Sequence, residues 1–419
     1  MHLATTTSVF IIGRFSLMPS QFDWNGVGNF APDGRTHQLD AVLLTEKLRD
    51  EGIGAWLSAV APLHVRAYSL SQVLFSRWIG FNILSIEPIN LLYYLAILAM
   101  VYKLAEAVFD CRAALLAATI VALWPTLLLH TTQPLRDQLL ITIVMILFLI
   151  VTCWLTQTFS WRQTIIKGGG GALVLLTIWI VRLSMWDIVR VVVVLGFVLL
   201  VLRQVRERRL LKGNLVTGAM LIAALWVIPQ GNQLLQFTEK READVSSGRV
   251  LIGEKVIELT LWDRIAARRE GFIKRRQEKD YKAGSDVDSE MRIKSKAELI
   301  RYLPRAAAIG LFAPFPNMWF AEGMVVGKGG RWLSGFEMLF TYVLEALAVI
   351  GVWQRRRQLS VWLLTLTAIL GVTALGLIVV NIGSLYRLRY SYWILLVVLG
   401  AGGAVHLVFR LCRSRTAEA

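Results

Sequence analysis

Two carboxylates and two arginines stand where chemistry at a membrane surface would need them. Asp33 lies in Asn29-Phe-Ala-Pro-Asp-Gly-Arg-Thr-His37, a polar stretch between apolar ones; Arg136-Asp137 opens a long apolar run, and Tyr386-Arg-Leu-Arg389 precedes the last one. A carboxylate within reach of a hydroxyl can take its proton. An arginine fork can hold a phosphate through two hydrogen bonds, which suits Arg387 and Arg389, with Arg136 as a third candidate. Each group also has a plainer reading. Asp33-Gly34 can be a turn that starts the loop. Asp137 can be an acid favoured at a helix start, or a second carboxylate that orients an acceptor or helps bind a divalent cation. Arg387 and Arg389 can hold lipid headgroups, and His37 and His130 can serve a site or only the structure, since no HExxH spacing occurs. Asp40, one turn into the next helix, reads as solvated surface.

The rest of the chain must position these groups, and its composition says in what medium. Of 419 residues, 56% are apolar and only 18% charged, the balance of a multi-pass membrane protein and not of a soluble domain. About ten runs approach the roughly 20 apolar residues that a bilayer core requires. They cover 2–18, 88–109, 112–130, 138–159, 164–184, 187–205, 214–229, 333–353, 360–380 and 390–411. The expected fold class is therefore all-α, a transmembrane helix bundle of about ten spans with interfacial helices outside it. The formal charge of +16 gathers in short loops and one long polar insert, which points to topology, anionic lipid or a phosphorylated ligand and not to nucleic acid. The three cysteines show no CxxC spacing, so neither a disulfide framework nor a zinc site is expected. The amino terminus lacks a charged region and a small-residue cleavage site, so it reads as a short first span and not as a cleaved signal peptide.

Basic residues favour the cytoplasmic side. The loops at 203–212, 355–357 and 410–415 all satisfy that rule if ten spans place both termini inside. Segments 21–87, 131–137, 230–306 and 381–389 then share the outer face. Within the first of these, Leu39, Val42, Leu43 and Leu48 line one helical face, and Leu70, Val73, Leu74 and Trp78 line another. Both helices are too polar to span and should lie along the interface. Charges inside a membrane are costly, so Arg182, Asp187 and Arg190 should pair at their hairpin, as should Lys103 with Glu106. The run Gly168–Gly171 lacks a following Lys-Ser/Thr, is no phosphate loop, and reads as close helix packing. Three parts result: a transmembrane module at 1–230 with its outer loop at 19–87, a charged outer insert at 231–305 read as a solvated helical cap, and a second module at 306–419. The aromatic and proline cluster 311–320 should lie at or re-enter the outer interface.

In this order and sidedness the chain resembles the GT-C superfamily of polyprenyl-phosphate-dependent glycosyltransferases, in particular bacterial relatives of protein O-mannosyltransferases and aminoarabinose transferases. The residues that carry the resemblance are Pro32-Asp33-Gly34 with Ala41 and Leu44, Phe81-Asn82 and Asn90, the small residues Ala114, Ala117 and Ala118 before Leu123-Trp-Pro125, and Arg136-Asp137-Gln138-Leu139-Leu140. They cover roughly the first 160 residues, with a looser likeness at 302–305, 313–316 and 381–389. The sequence departs from the mannosyltransferase branch, where an acidic pair is usual, because Gly34 follows Asp33.

The resemblance implies a bacterial inner-membrane enzyme that moves a sugar from a polyprenyl-phosphate donor to a glycan, lipid or protein acceptor outside the membrane. It implies Asp33 as the base, and a lone carboxylate suits direct displacement with inversion. Asp137 would be the acceptor or metal partner, and Arg136, Arg387 and Arg389 would face the phosphate, with His37 and Tyr386 beside the substrate. No cofactor is required beyond a possible divalent cation. A polysaccharide polymerase or ligase would use the same donor chemistry. A lipid-linked sugar transporter would instead favour inverted repeats and charges at the bilayer midplane, and no repeat is evident.

Overall fold

The computed structural model describes residues 1–230, 249–252, 255–258, 260–277, 286–320 and 326–418. Almost all of it is helical. Helix α1 covers His2–Arg14, and the polar helices α2 (Pro32–Asp50), α3 (Gly52–Ser58) and α4 (Leu63–Ile79) follow. The first bundle half contains α5 (Ile83–Val108), α6 (Cys111–Leu123), α7 (Pro125–Thr131), α8 (Asp137–Thr156), α9 (Trp161–Val181), α10 (Trp186–Glu207) and α11 (Lys212–Val227). An antiparallel hairpin of Arg249–Ile252 and Lys255–Glu258 then precedes α12 (Leu261–Gln277) and α13 (Lys296–Phe312). The last helices are α14 (Gly327–Gln354), α15 (Leu359–Ile378), the short α16 (Ile382–Leu388) and α17 (Tyr390–Glu418).

Among the described residues eight helices are long and apolar enough to cross a membrane, or nine if α6 and α7 count as one. Two expected spans differ. The run at 112–130 breaks by 66° between α6 and α7, because Pro125 offers no backbone N–H and restricts the residue before it. The first span is a helix of 13 residues, which reaches about 20 Å at 1.5 Å per residue and falls short of a bilayer core. Its start leans on α5 partway along, where His2 Nδ1 lies 2.7 Å from Glu87 Oε1 and Thr6 donates to Glu87 Oε2 at 2.8 Å.

Helices α2 and α4 are turned as the interfacial reading requires. Of the residues expected on their apolar faces, Leu39, Leu43, Leu70, Leu74 and Trp78 are exposed, Val42 and Val73 are half-buried, and Leu48 packs against the cluster around Ala41, Leu44 and Tyr68, while residues such as Gln38, Thr45, Ser69 and Gln72 on the opposite faces are buried. Thr45 donates to Ala41 and Ser69 carbonyls, and Arg49 donates to the Val73 carbonyl and Ser76 Oγ, so the two helices are tied through their polar sides. The basic turns meet at one end of the bundle, where Arg206 Nη1 donates to the Arg357 carbonyl at 3.0 Å.

Glycine sets the closest approach in the second half. A Cβ added at Gly403 would lie 1.9 Å from the Leu347 carbonyl oxygen, and one at Gly351 would lie 2.2 Å from that of Leu399. The α14 and α17 backbones therefore touch, as small residues permit. Gly403→Ala is expected to cost about 1–3 kcal/mol of stability, read as a lower thermal unfolding midpoint in detergent micelles. Gly169→Ala is the matched control, since a Cβ there meets nothing within 4 Å. Only part of the Gly168–Gly171 run packs closely: Gly168 faces Met220 and Gly171 faces Leu221, whereas Gly169 and Gly170 face open space.

The charged insert is more firmly attached than a solvated cap. Arg269 is fully buried and donates to the carbonyls of Met291 at 2.9 Å, Leu377 at 2.8 Å and Asp288 at 2.7 Å. Asp286 and Val287 pair with the backbone around Asn381 and Val380, just before α16. The boundary placed at 305 falls inside α13, which runs through Pro304 and packs on α15. Residues 231–248, 253–254, 259, 278–285, 321–325 and 419 lie outside the described residues.

Candidate functional site

Helix starts and a short helix bring the distant charges together. Pro32 occupies the first turn of α2 with Asp33 next to it, so Asp33-Gly34 is helix and not a loop turn, and the acid sits at the positive end of the helix. Asp137 is the first residue of α8, with Arg136 before it. Asn381 caps α16 by accepting from the Ser384 N–H, and that helix carries Arg387.

Arg387 lies between the two acids. Its Nη2 is 2.8 Å from Asp33 Oδ2 and its Nε is 2.9 Å from Asp137 Oδ2. On the far side of Asp137, Arg182 Nη1 donates to Oδ1 at 3.0 Å. Residues separated by 354 positions in sequence thus share one ion pair. The side chain of Asp33 is 53% exposed while those of Asp137 and Arg182 are each 9% exposed. Asp33 is therefore the acid that a ligand can reach, and Asp137 anchors the arginines from beneath.

The electrostatics follow from this order. Burial pushes the Asp33 carboxyl up, but Arg387, with Arg136 and His37 adding to it, holds it below its ordinary value of 3.8. Burial opposes the charge on Arg387, and Asp137 and Asp33 outweigh it, so the guanidinium is held more firmly protonated than usual. Arg387, Arg182 and Arg136 thus set positive charge around the two carboxylates. The divalent cation that a second acid could help bind does not fit, because the Arg387 guanidinium occupies the place between Asp33 and Asp137. No group of three His, Cys, Asp or Glu able to hold a metal occurs among the described residues.

His37 follows Asp33 by one turn and is buried, its Nδ1 3.1 Å from the Pro134 carbonyl oxygen. It meets His64 edge-on with ring centroids 4.4 Å apart. Burial, then His37 and Arg136, keep His64 well below the usual 6.5, so it is neutral near pH 7. His37 thus supports the loop under Asp33. Asp40 is exposed, as expected.

Tyr386 and Arg389 do not join this cluster. The Tyr386 hydroxyl donates to Glu337 Oε2, and Glu337 also accepts from the Thr126 N–H at 2.7 Å and the Thr126 hydroxyl at 2.6 Å. Arg389 is buried over the Tyr386 ring and donates to the Ala313 carbonyl at 2.6 Å. His130 closes the same network from α7, its Nδ1 2.6 Å from the Thr126 carbonyl oxygen. These groups fix α16 against α7 and α14, and so fix where Arg387 points. Glu337 escapes the sequence reading, although an acid inside an apolar run is the signal that finds it.

The expected hairpin pairing is only half formed. Asp187 binds Arg190, whereas Arg182 turns away to Asp137. Lys103 and Glu106 pair at 2.8 Å, as expected.

Fold and site together define a multi-pass helical membrane protein with a cluster of buried and half-buried ion pairs at one end of its bundle. No protein-family model, curated protein or solved structure matches the chain.

Proposed function

We propose that this protein is a GT-C-like membrane glycosyltransferase that moves a sugar from a polyprenyl-phosphate donor to a cell-surface glycan, lipid or protein acceptor. The observation that carries this reading is the meeting of Asp33, Arg387 and Asp137, the residues to which the sequence and its resemblance to the GT-C superfamily assign a base, a phosphate ligand and an acceptor partner. In the resting arrangement Arg387 is held by Asp33. The donor phosphate competes for the Arg387 fork and releases the Asp33 carboxylate, still ionised, beside the sugar. The acceptor hydroxyl then attacks the anomeric carbon and gives its proton to Asp33. The bond from that carbon to the phosphate oxygen breaks, and the electron pair leaves on polyprenyl phosphate opposite Arg387 and Arg136.

Placement belongs to the same proposal. With the α6–α7 pair counted as one crossing, the nine crossings from α5 onward put Asp33 outside a bacterial inner membrane and the carboxy terminus in the cytoplasm. The joined basic turns near Arg206 and Arg357 then face inward.

The test is transfer of label from a polyprenyl-phosphate sugar by the purified protein in nanodiscs, with membrane extract as acceptor. Formation of a labelled product is expected with wild type and not with Arg387→Ala. A single cysteine at position 33 should react with an impermeant thiol reagent from outside the cell only. Labelling from the cytoplasmic side would overturn the placement, and movement of labelled lipid across vesicles without a new glycosidic bond would make the protein a transporter.

A further inference from the structure

One hydrogen-bond acceptor at the edge of the Asp33 cluster is not engaged. His130, near the end of α7, is half-buried, and its ring meets those of Phe30 at a centroid distance of 5.3 Å and Tyr390 at 5.9 Å. Phe30 precedes Asp33 by three residues and Tyr390 follows Arg387 by three. The charges of Arg387 and Asp137 both act on the imidazole, which places it beside the ion pairs.

Its two nitrogens are not equivalent. Nδ1 lies 2.6 Å from the Thr126 carbonyl oxygen, and a carbonyl can only accept, so Nδ1 carries the hydrogen and the lone pair of the neutral ring is on Nε2. Thr126 is itself held, since its N–H and hydroxyl donate to Glu337 and its hydroxyl oxygen accepts from the Tyr390 hydroxyl at 2.7 Å. The contacts that fix α16 therefore also fix this tautomer. Nε2 has no hydrogen-bond partner among the described residues and is not sealed from solvent, in contrast to the Nε2 of His64, which is unpartnered and enclosed.

The carboxylates around His130 are all taken. Asp33 and Asp137 face Arg387, Asp137 also binds Arg182, and Glu337 receives Thr126 and Tyr386. In the proposed transfer the released Asp33 serves the attacking hydroxyl, and the arginines serve phosphate. A sugar brings further hydroxyls, each a donor that gives up water on binding and costs affinity if it meets no acceptor. An ionised phosphate only accepts, so it gains nothing from Nε2. Phe30, also half-buried, adds an apolar surface beside the imidazole.

We propose that His130 Nε2 accepts a hydrogen bond from a hydroxyl of the donor sugar, and so selects a sugar with a hydroxyl at that place. The identity of the ligand rests on the sugar-transfer reading; the open Nε2 does not.

The experiment treats the full chain in nanodiscs with diethyl pyrocarbonate, which acylates the lone-pair nitrogen of an accessible neutral imidazole, and maps the modified histidines by mass spectrometry. His130 should react and the enclosed His64 should not. Polyprenyl-phosphate mannose and polyprenyl-phosphate glucose are then added in turn, with sugar-free polyprenyl phosphate as the comparison. One of the two sugar lipids should protect His130, and the sugar-free lipid should not. His406, about 24 Å along α17 from Tyr390, should react alike throughout. His130→Phe should weaken binding of the protecting lipid, measured with label and without turnover, about fivefold, the worth of one neutral hydrogen bond, and leave binding of the sugar-free lipid unchanged. The protection measurement needs no variant, so it decides the matter should His130→Phe fold poorly. An unreactive His130, equal protection by the sugar-free lipid, protection by neither sugar lipid, or undiminished binding in a folded His130→Phe would overturn the proposal. Protection by a sugar lipid with no labelled product in the transfer assay would instead remove the transferase reading and leave this contact standing.

Discussion

Asp33→Asn is expected to slow sugar transfer by about 10²–10⁴-fold, the usual contribution of a positioned base, while leaving donor binding and folding near wild type. The reason lies in the exposure of the two acids. The Asp33 side chain is half-exposed and contributes one contact to a well-anchored arginine. An exposed ion pair is worth about 0–1 kcal/mol, so its removal should barely change stability. The asparagine keeps the shape and still accepts from Arg387 but cannot take a proton. Arg387 itself remains held by Asp137. Turnover by the purified protein, compared with donor binding measured separately, checks this. An Asp33→Asn enzyme that folds normally and turns over like wild type would remove the base assignment.

How far the site was legible in the sequence depends on what kind of signal each part carries. Asp137 and Arg387 stand out because they border apolar runs and Asp33 because it lies in a polar stretch between them, and the bias of basic loops to one side places all three on the other. The polar helices α2 and α4 were legible too, since their apolar residues repeat at helical spacing and five of the eight, Leu39, Leu43, Leu70, Leu74 and Trp78, remain exposed. Which arginine would meet which acid was not legible. Arg182 lies five residues from Asp187 and 45 from Asp137, yet it pairs with Asp137, because the turn after α9 directs its side chain toward the start of α8. The same holds for Arg389, two residues from Arg387: the first turn of α17 follows α16 directly, so neighbouring arginines point into different clusters. The bend at Pro125 is marked in the sequence by the proline itself, but the apolar residues on either side of it together have the length of one span. Nothing in the spacing of the insert shows that Arg269 would be buried against the Leu377 carbonyl, a contact that exists only once α12 lies across the end of α15.

The largest loss of stability should come from Asp137→Ala, on the order of 3–5 kcal/mol. This carboxylate is buried and receives two guanidiniums, from Arg387 and Arg182, whose side chains are only 13% and 9% exposed. Alanine takes the shared carboxylate away from both cations in a poorly solvated place, and the cost lies in that lost charge compensation more than in the lost bonds. Arg387 keeps its contact with Asp33. Two comparisons follow. Asp137→Asn retains an acceptor for one arginine and should lose less than Asp137→Ala. Removing the second charge along with the acid, in Asp137→Ala combined with Arg182→Met, should recover part of the loss, a coupling expected of residues in direct contact. Unfolding free energies measured by denaturing-detergent titration in mixed micelles give all three values. An Asp137→Ala protein as stable as wild type would mean that water reaches Arg182 and Arg387 freely. In that case Asp137 would not be the anchor beneath the site, and the different exposure of the two acids could no longer explain why one serves chemistry and the other holds the arginines in place.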